Sequence, residues 1–268
     1  MMNFFKVIKN LRKKSRKKGK IGLALGGGAV LGAAHIGVLK ALEENKIPIN
    51  FIAGTSIGAF VAALYAFKKD WQEIEKIALD LDWLDISAIS LSQYGLLSNK
   101  KLGELIRKHI GDVQFEQADI PLTMIATDIA NGKKVILTKG SVAEAVMAST
   151  CIPGVFIPVK IDDLLLVDGG IVENVPVTPL QEMGAKYTIA VDLNARRSLK
   201  KPENIIEVLI NAFYFTMRTA TQLQSQQADL IIKPDLSGFS LIDTKQTPDL
   251  IERGYVETIN ALKKLSIK

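Results

Sequence analysis

Residues 50–67 read NFIAGTSIGAFVAALYAF. A short apolar run, 50–53, enters Gly54-Thr55-Ser56-Ile57-Gly58, and an apolar helical stretch, 57–67, leaves it. Strand, tight glycine turn and helix form the repeating unit of an α/β sheet, with the turn at the strand's carboxyl end. Gly54 and Gly58 flank Ser56 because a Cβ would collide in so tight a turn, and the turn lifts the serine hydroxyl clear of the sheet. The helix start behind it favours developing negative charge. A random chain of this length contains G-x-S-x-G roughly one time in ten. The strand before the motif and the helix after it therefore carry the reading of Ser56 as a candidate nucleophile.

The same unit stands just upstream. Residues 21–25 are an apolar strand, followed by Gly26-Gly27-Gly28-Ala29-Val30-Leu31-Gly32 and an Ala/Leu-rich helix over 32–45. Consecutive glycines let backbone N–H groups point into one concavity, an anion nest. A P-loop would end in Gly-Lys-Ser/Thr, which is absent. Gly26, Gly28 and Gly32 give G-x-G-x-x-x-G, which falls short of the dinucleotide fingerprint. The strand at 50–53 also lacks a closing acid for a ribose hydroxyl. An oxyanion hole, with Gly26, Gly27 and Gly28 as donors, is the third reading, and a plain tight turn the fourth.

Further strands are predicted at 122–128, 134–138, 164–167, 188–193 and 230–233. Helices are predicted at 71–81, 100–110, 142–148, 176–183, 205–227 and 248–265. Asn131-Gly132 marks a hairpin turn. The stretch 83–98 reads as irregular, either a lid or a packed loop. The alternation predicts one α/β domain over 20–268, a three-layer α/β/α arrangement with a mostly parallel central sheet.

The net charge of +6 is unevenly spread. The first 20 residues carry nine Lys or Arg and no acid, leaving 25 basic against 28 acidic residues in the body. Nucleic-acid binding would want a basic face on the folded domain, and the body supplies none. In the tail, 1–19, Phe4, Val7, Ile8 and Leu11 recur at helical spacing among lysines. Such a segment suits an anionic membrane surface; the alternative is a solvated basic tail. No apolar run is long enough to span a bilayer, and no signal-peptide pattern opens the chain. The single cysteine, Cys151, excludes an intrachain disulfide and fits a reducing cytoplasm.

An activated serine needs a base. His35 lies amid apolar residues and reads as a packed helix residue; His109, beside Arg107 and Lys108, reads as surface. A lysine base of the S-x-x-K type is excluded because position 59 is alanine. Among the carboxylates, Asp168 follows an apolar strand and precedes Gly169-Gly170, which let another chain approach closely. Asp128 and Asp192 also end strands, so the pattern leaves the choice open.

Taken together, GLALGGGAVLGAAHIGVLKAL, FIAGTSIGAF and LVDGGIVENVPV resemble the bacterial patatin-like phospholipases, and the resemblance covers roughly residues 20–265. MIATDIANGKKVILTKG, AVMASTCIPGVFIPV and GLLSNKKLGELI add to it. The resemblance implies a patatin-like fold and a Ser56–Asp168 dyad without histidine, with oxyanion donors from Gly26, Gly27 and Gly28. It implies hydrolysis of fatty-acyl esters in phospholipids or lysophospholipids, with no metal or cofactor; with the basic tail, 1–19, the expected place is the cytoplasmic face of a membrane. In this reading 83–98 could cover an acyl pocket. One position departs from the family pattern: Leu31 stands where Arg or Lys commonly precedes the last glycine of the loop. That departure motivates the alternative, a membrane-associated regulatory protein with little or no turnover.

Overall fold

The computed structural model describes residues 19–81, 88–92, 95–196 and 201–264, with the side chains of 88–92 and Thr219 left out. The expected tail lies outside these residues except for Gly19.

Eleven strands are described: β1 (Ile21–Leu25), β2 (Phe51–Thr55), β3 (Ala88–Ser92), β4 (Gly95–Ser98), β5 (Leu122–Asp128), β6 (Lys133–Leu137), β7 (Gly154–Phe156), β8 (Val159–Ile161), β9 (Leu164–Asp168), β10 (Tyr187–Val191) and β11 (Leu230–Ile232). The helices are α1 (Ala33–Glu44), α2 (Ile57–Ala66), α3 (Trp71–Leu79), α4 (Lys100–Ile110), α5 (Val142–Ser149), α6 (Gly170–Glu173), α7 (Val177–Glu182), α8 (Ile205–Ser225) and α9 (Thr247–Lys264).

The main sheet runs β11-β10-β1-β2-β5-β9-β8, with β6 on the other edge of β5. The first five strands are mutually parallel; β6, β8 and β9 are antiparallel to their neighbours. Every residue of β1, β2 and β5 is buried, as expected where helices cover both faces of a parallel sheet. Alternate side chains feed two cores. Leu23, Leu25 and Ile52 join the large cluster with α1 and α2. Ala24, Phe51 and Ala53 face Val177 and Leu180 of α7 in a smaller one on the opposite face.

The expectation that 83–98 is irregular needs correction. Its described part holds β3 and β4, which pair antiparallel, and β4 pairs with β7 in a separate three-stranded sheet. Residues 83–87, 93 and 94 lie outside the described set.

The register of β5 decides where the site forms. β2 runs parallel to β5 and ends with Thr55 opposite Ile125. On that same edge β9 arrives from the other direction and ends with Asp168 opposite Ala126. The two strands meet end to end, which brings the residue after β2, Ser56, against the last residue of β9.

Candidate active site

Ser56 occupies the sharp turn between β2 and α2 with φ 56 and ψ −130. That backbone region is sparsely populated by non-glycine residues and costs roughly 1–3 kcal/mol. The surroundings enforce it. Ser56 N–H donates to Ser149 Oγ at 2.9 Å, and that hydroxyl donates to Ile125 O at 2.7 Å. Thr55 Oγ1 donates to Glu173 O at 2.9 Å. The flanking glycines are required by close approach: a Cβ at Gly58 would strike Leu25 O, and one at Gly54 would strike Gly58 O. A Cβ at Gly32 would overlap Ile57, and one at Gly169 would overlap Ile125 O.

Asp168 is completely buried. Its N–H donates to Cys151 O at 2.8 Å and its carbonyl accepts from Thr127 Oγ1 at 2.9 Å, so its backbone is fixed on both sides. Oδ1 accepts the Gly170 N–H at 2.8 Å. Oδ2 has no hydrogen bond of good geometry. The Ser56 hydroxyl is nevertheless close enough to act on the carboxyl, lowering its pKa against a larger effect of burial. Burial wins and pushes the Asp168 pKa up to about 7, because the charged form loses its hydration.

The glycine loop packs against this pair. A Cβ at Gly27 would lie 2.9 Å from Ser56 Cβ. Of the three expected donors, two are already engaged. Gly26 N–H donates to Val191 O at 3.1 Å, and Gly27 N–H is shared between Asn174 Oδ1 at 3.1 Å and Asn174 O at 3.3 Å. Gly28 N–H and Ala29 N–H have no partner among the described residues. Ala29 also has a left-handed backbone, φ 50, and lines the same cavity as Ser56.

Three neutral side chains that pattern reading did not assign hold the loop. His35 Nε2 donates to Gly26 O at 2.7 Å, Asn194 Nδ2 donates to Gly27 O at 2.8 Å, and Asn174 accepts from Gly27. His35 is fully buried, which lowers its pKa to about 4 and keeps the ring neutral, so Nε2 is the donor to the carbonyl. Leu31 is also fully buried, packed in the large apolar core. His109, on α4, is away from this cluster and has its pKa lowered by partial burial and by Lys108.

Ser56 opens on a cavity of about 320 Å³, within the range of small-molecule sites. Its walls are mainly apolar: Leu97 of β4, Leu102 of α4, Val155 and Phe156 of β7, Ile210 of α8, and Leu241. Asn204 and Glu207 supply polar groups from the start of α8. Among the described residues no three His, Cys, Asp or Glu side chains cluster as metal ligands.

The stretch that carries Ser56, Asp168 and the glycine loop lies within the match to one family model. The model for patatin-like phospholipase matches residues 23–180. The chain belongs to the patatin-like phospholipase family. Relatives of this patatin-like chain include an uncharacterised NTE family protein of Mycobacterium bovis, 38% identical over 186 residues, covering 69% of this chain and 52% of the relative. The lysophospholipase NTE1 of Eremothecium gossypii is 30% identical over 250 residues, covering 91% of this chain and 15% of the relative. This patatin-like chain thus spans about half the length of the mycobacterial relative and a small part of the fungal one. Among solved structures, VipD from Legionella pneumophila aligns with TM-score 0.55 and 14% identity, covering 92% of this chain and 67% of VipD. The type III effector ExoU aligns with TM-score 0.55 and 15% identity, covering 93% of this chain and 54% of ExoU. Both likenesses concern the fold. No described helix is long and apolar enough to cross a membrane.

Proposed function

We propose that this chain is a serine acyl hydrolase that cleaves fatty-acyl esters of phospholipids or lysophospholipids through a Ser56–Asp168 dyad. The observation that carries this reading is the pairing of a strained serine with a buried carboxyl whose Oδ2 has no other partner, beside an apolar cavity. The fungal relative is a lysophospholipase, which supports the substrate class.

The chemistry runs in two steps. Asp168 Oδ2 accepts the Ser56 proton as Oγ adds to the ester carbonyl. The oxyanion is held by the unengaged N–H groups of Gly28 and Ala29, while Gly26 and Gly27 serve as loop framework rather than donors. The tetrahedral species collapses, the C–O bond to the alcohol breaks, and Asp168 returns the proton to that oxygen. Asp168 then takes a proton from water as the water oxygen attacks the acyl-serine, and gives it back to Ser56 Oγ as the fatty acid leaves. A carboxyl pKa near 7 suits this cycle, since an ordinary aspartate is a weaker base and is almost wholly deprotonated at neutral pH. The acyl chain would lie in the cavity. Ile205, Val208 and Ile242 are exposed around its α8 side, an apolar rim that suits transfer of a lipid from an aggregate. Residues 1–19 would add attachment to anionic lipid on the cytoplasmic side.

The test is reaction with a fluorophosphonate followed by mass spectrometry. One adduct mapped to Ser56, absent from Ser56→Ala, is expected. A folded protein that gives no adduct, with and without liposomes, would remove the hydrolase reading and leave a regulatory role.

A further inference from the structure

The carboxyl ends of β10 and β11 lie on the side of β1 away from Ser56. From β1 the chain proceeds to β2 and β5 on one side, whereas β10 and β11 lie on the other. Where connections diverge in an open parallel sheet, a crevice remains outside the carboxyl ends of the two central strands, and ligands collect there. Here those strands are β1 and β10, which are parallel in register. The glycine loop after β1 occupies that crevice; a second cavity, about 230 Å³, opens one strand further out, past the ends of β10 and β11, and shares no lining residue with the cavity at Ser56. Asp192 and Asn194 reach it from the end of β10, Lys233 from the end of β11, and Arg218, Thr221 and Gln222 from α8.

Its chemistry is the reverse of the apolar cavity. Arg218 and Lys233 form no ion pair with another described residue. Lys233 stands near enough to Asp192 to lower its pKa, against a larger upward push from burial. Two cations against one carboxylate select an anion, and a guanidinium fork favours a phosphoryl group. The Asp192 carboxylate, whose Oδ1 already accepts the Asn194 N–H at 3.0 Å, and the buried, unpartnered Asn194 Oδ1 are acceptors, so they suit a ligand that also carries hydroxyl donors. A fatty carboxylate or a sulfate has none to offer.

Asn194 joins this crevice to the glycine loop. Its Nδ2 donates to Gly27 O at 2.8 Å, which fixes the amide's orientation and leaves the buried Oδ1 without a partner. We propose that the crevice between the ends of β10 and β11 binds a small phosphate ester bearing hydroxyl groups, through Arg218 and Lys233, and that occupancy is transmitted to the glycine loop through Asn194. A deacylated glycerophospho headgroup and a sugar phosphate share this chemistry.

The experiment is titration calorimetry on the full chain carrying Ser56→Ala, which cannot turn over. The probes are sn-glycerol 3-phosphate, glucose 6-phosphate, sulfate and glycerol. Saturable binding of at least one phosphate ester is expected, with no heat from glycerol and at least about tenfold weaker binding of sulfate. Arg218→Gln and Lys233→Gln should each weaken the ester by about tenfold or more without moving the melting temperature, since Arg218 is exposed and Lys233 half-buried. Ester binding should slow amide exchange in residues 26–32, and Arg218→Gln should remove that effect. Preference for glycerol 3-phosphate assigns the source to the headgroup, and preference for glucose 6-phosphate to a sugar phosphate. No saturable heat, sulfate equal to the ester, or unchanged affinity in both variants would overturn the proposal. So would loss of ester binding in Ser56-containing protein capped by fluorophosphonate, which would place the ligand in the other cavity. Apart from the capped-serine arm, none of these outcomes depends on whether the protein hydrolyses lipids.

Discussion

Asp168→Asn is the most informative perturbation, because burial of the carboxyl has a thermodynamic consequence apart from catalysis. The Asp168 pKa rises from 3.8 to about 7 on folding. The unfolded chain therefore releases this proton at lower pH than the folded one, and stability falls as pH rises between the two values. The full shift corresponds to about 4 kcal/mol at pH 8 and about 1.5 kcal/mol at pH 5. Asn fills the same volume, keeps an oxygen for the Gly170 N–H and carries no charge. Any fixed cost of the amide is the same at both pH values. His35 and Asp192, which also titrate differently on burial, are present in both chains and cancel. The melting temperature of Asp168→Asn relative to the parent should thus be about 5–10 °C more favourable at pH 8 than at pH 5. Thermal unfolding followed by circular dichroism at both pH values checks this. An equal difference at pH 5 and pH 8 would mean that burial does not hold the proton, and the argument for Asp168 as a tuned base would fail with it.

With a soluble ester, kcat/KM should rise with pH, reach half its plateau near pH 7 and stay level above, because only the deprotonated Asp168 can accept the Ser56 proton; a rate already flat between pH 5 and pH 6 would contradict this. Gly58→Ala should cost about 3 kcal/mol of stability and abolish fluorophosphonate labelling, since its Cβ would drive α2 away from Leu25 O of β1; urea unfolding reads the first effect. Deleting residues 1–19 should abolish sedimentation with anionic liposomes and spare hydrolysis of a soluble ester; unchanged sedimentation would reject the tail as anchor.

The central sheet was legible because β1 is short and apolar and runs straight into Gly26, and β2 opens with Phe51, Ile52 and Ala53 before Gly54, a pattern that suits a buried parallel strand. The strands that pattern reading missed have reasons. β7 and β8 are three residues long, and β8 alternates around exposed Lys160, too little sequence for a period to register. β4 finds its partner β7 about sixty residues downstream, a separation no local signal spans. Asp168 could be singled out as a strand-end carboxylate, but not told from Asp128 or Asp192. What separates it is the antiparallel arrival of β9 head-on against β2. Asn174, Asn194 and Ser149 act on backbone groups far along the chain, and a lone Asn or Ser carries no mark of that. His35 was readable as packed, yet its hydrogen bond reaches back nine residues to Gly26, a link visible only once loop and helix are folded together.

Leu31 sharpens what the loop requires. The family pattern leads one to expect a cation before Gly32, and its loss to weaken the loop. In this chain the supports are neutral: His35 and Asn194 hold the carbonyls of Gly26 and Gly27, and Asn174 holds the Gly27 N–H. Leu31 points into the core with no exposure, so the loop's shape does not depend on charge at this position. Restoring the family residue should therefore harm this chain. Leu31→Lys would bury an ammonium in the apolar core, at a cost of about 3–5 kcal/mol. Reduced urea stability with no gain in the Ser56 labelling rate is the expected result. A stable Leu31→Lys protein that labels faster would mean that the cation still has a place at the oxyanion, and that the neutral supports are an incomplete substitute for it.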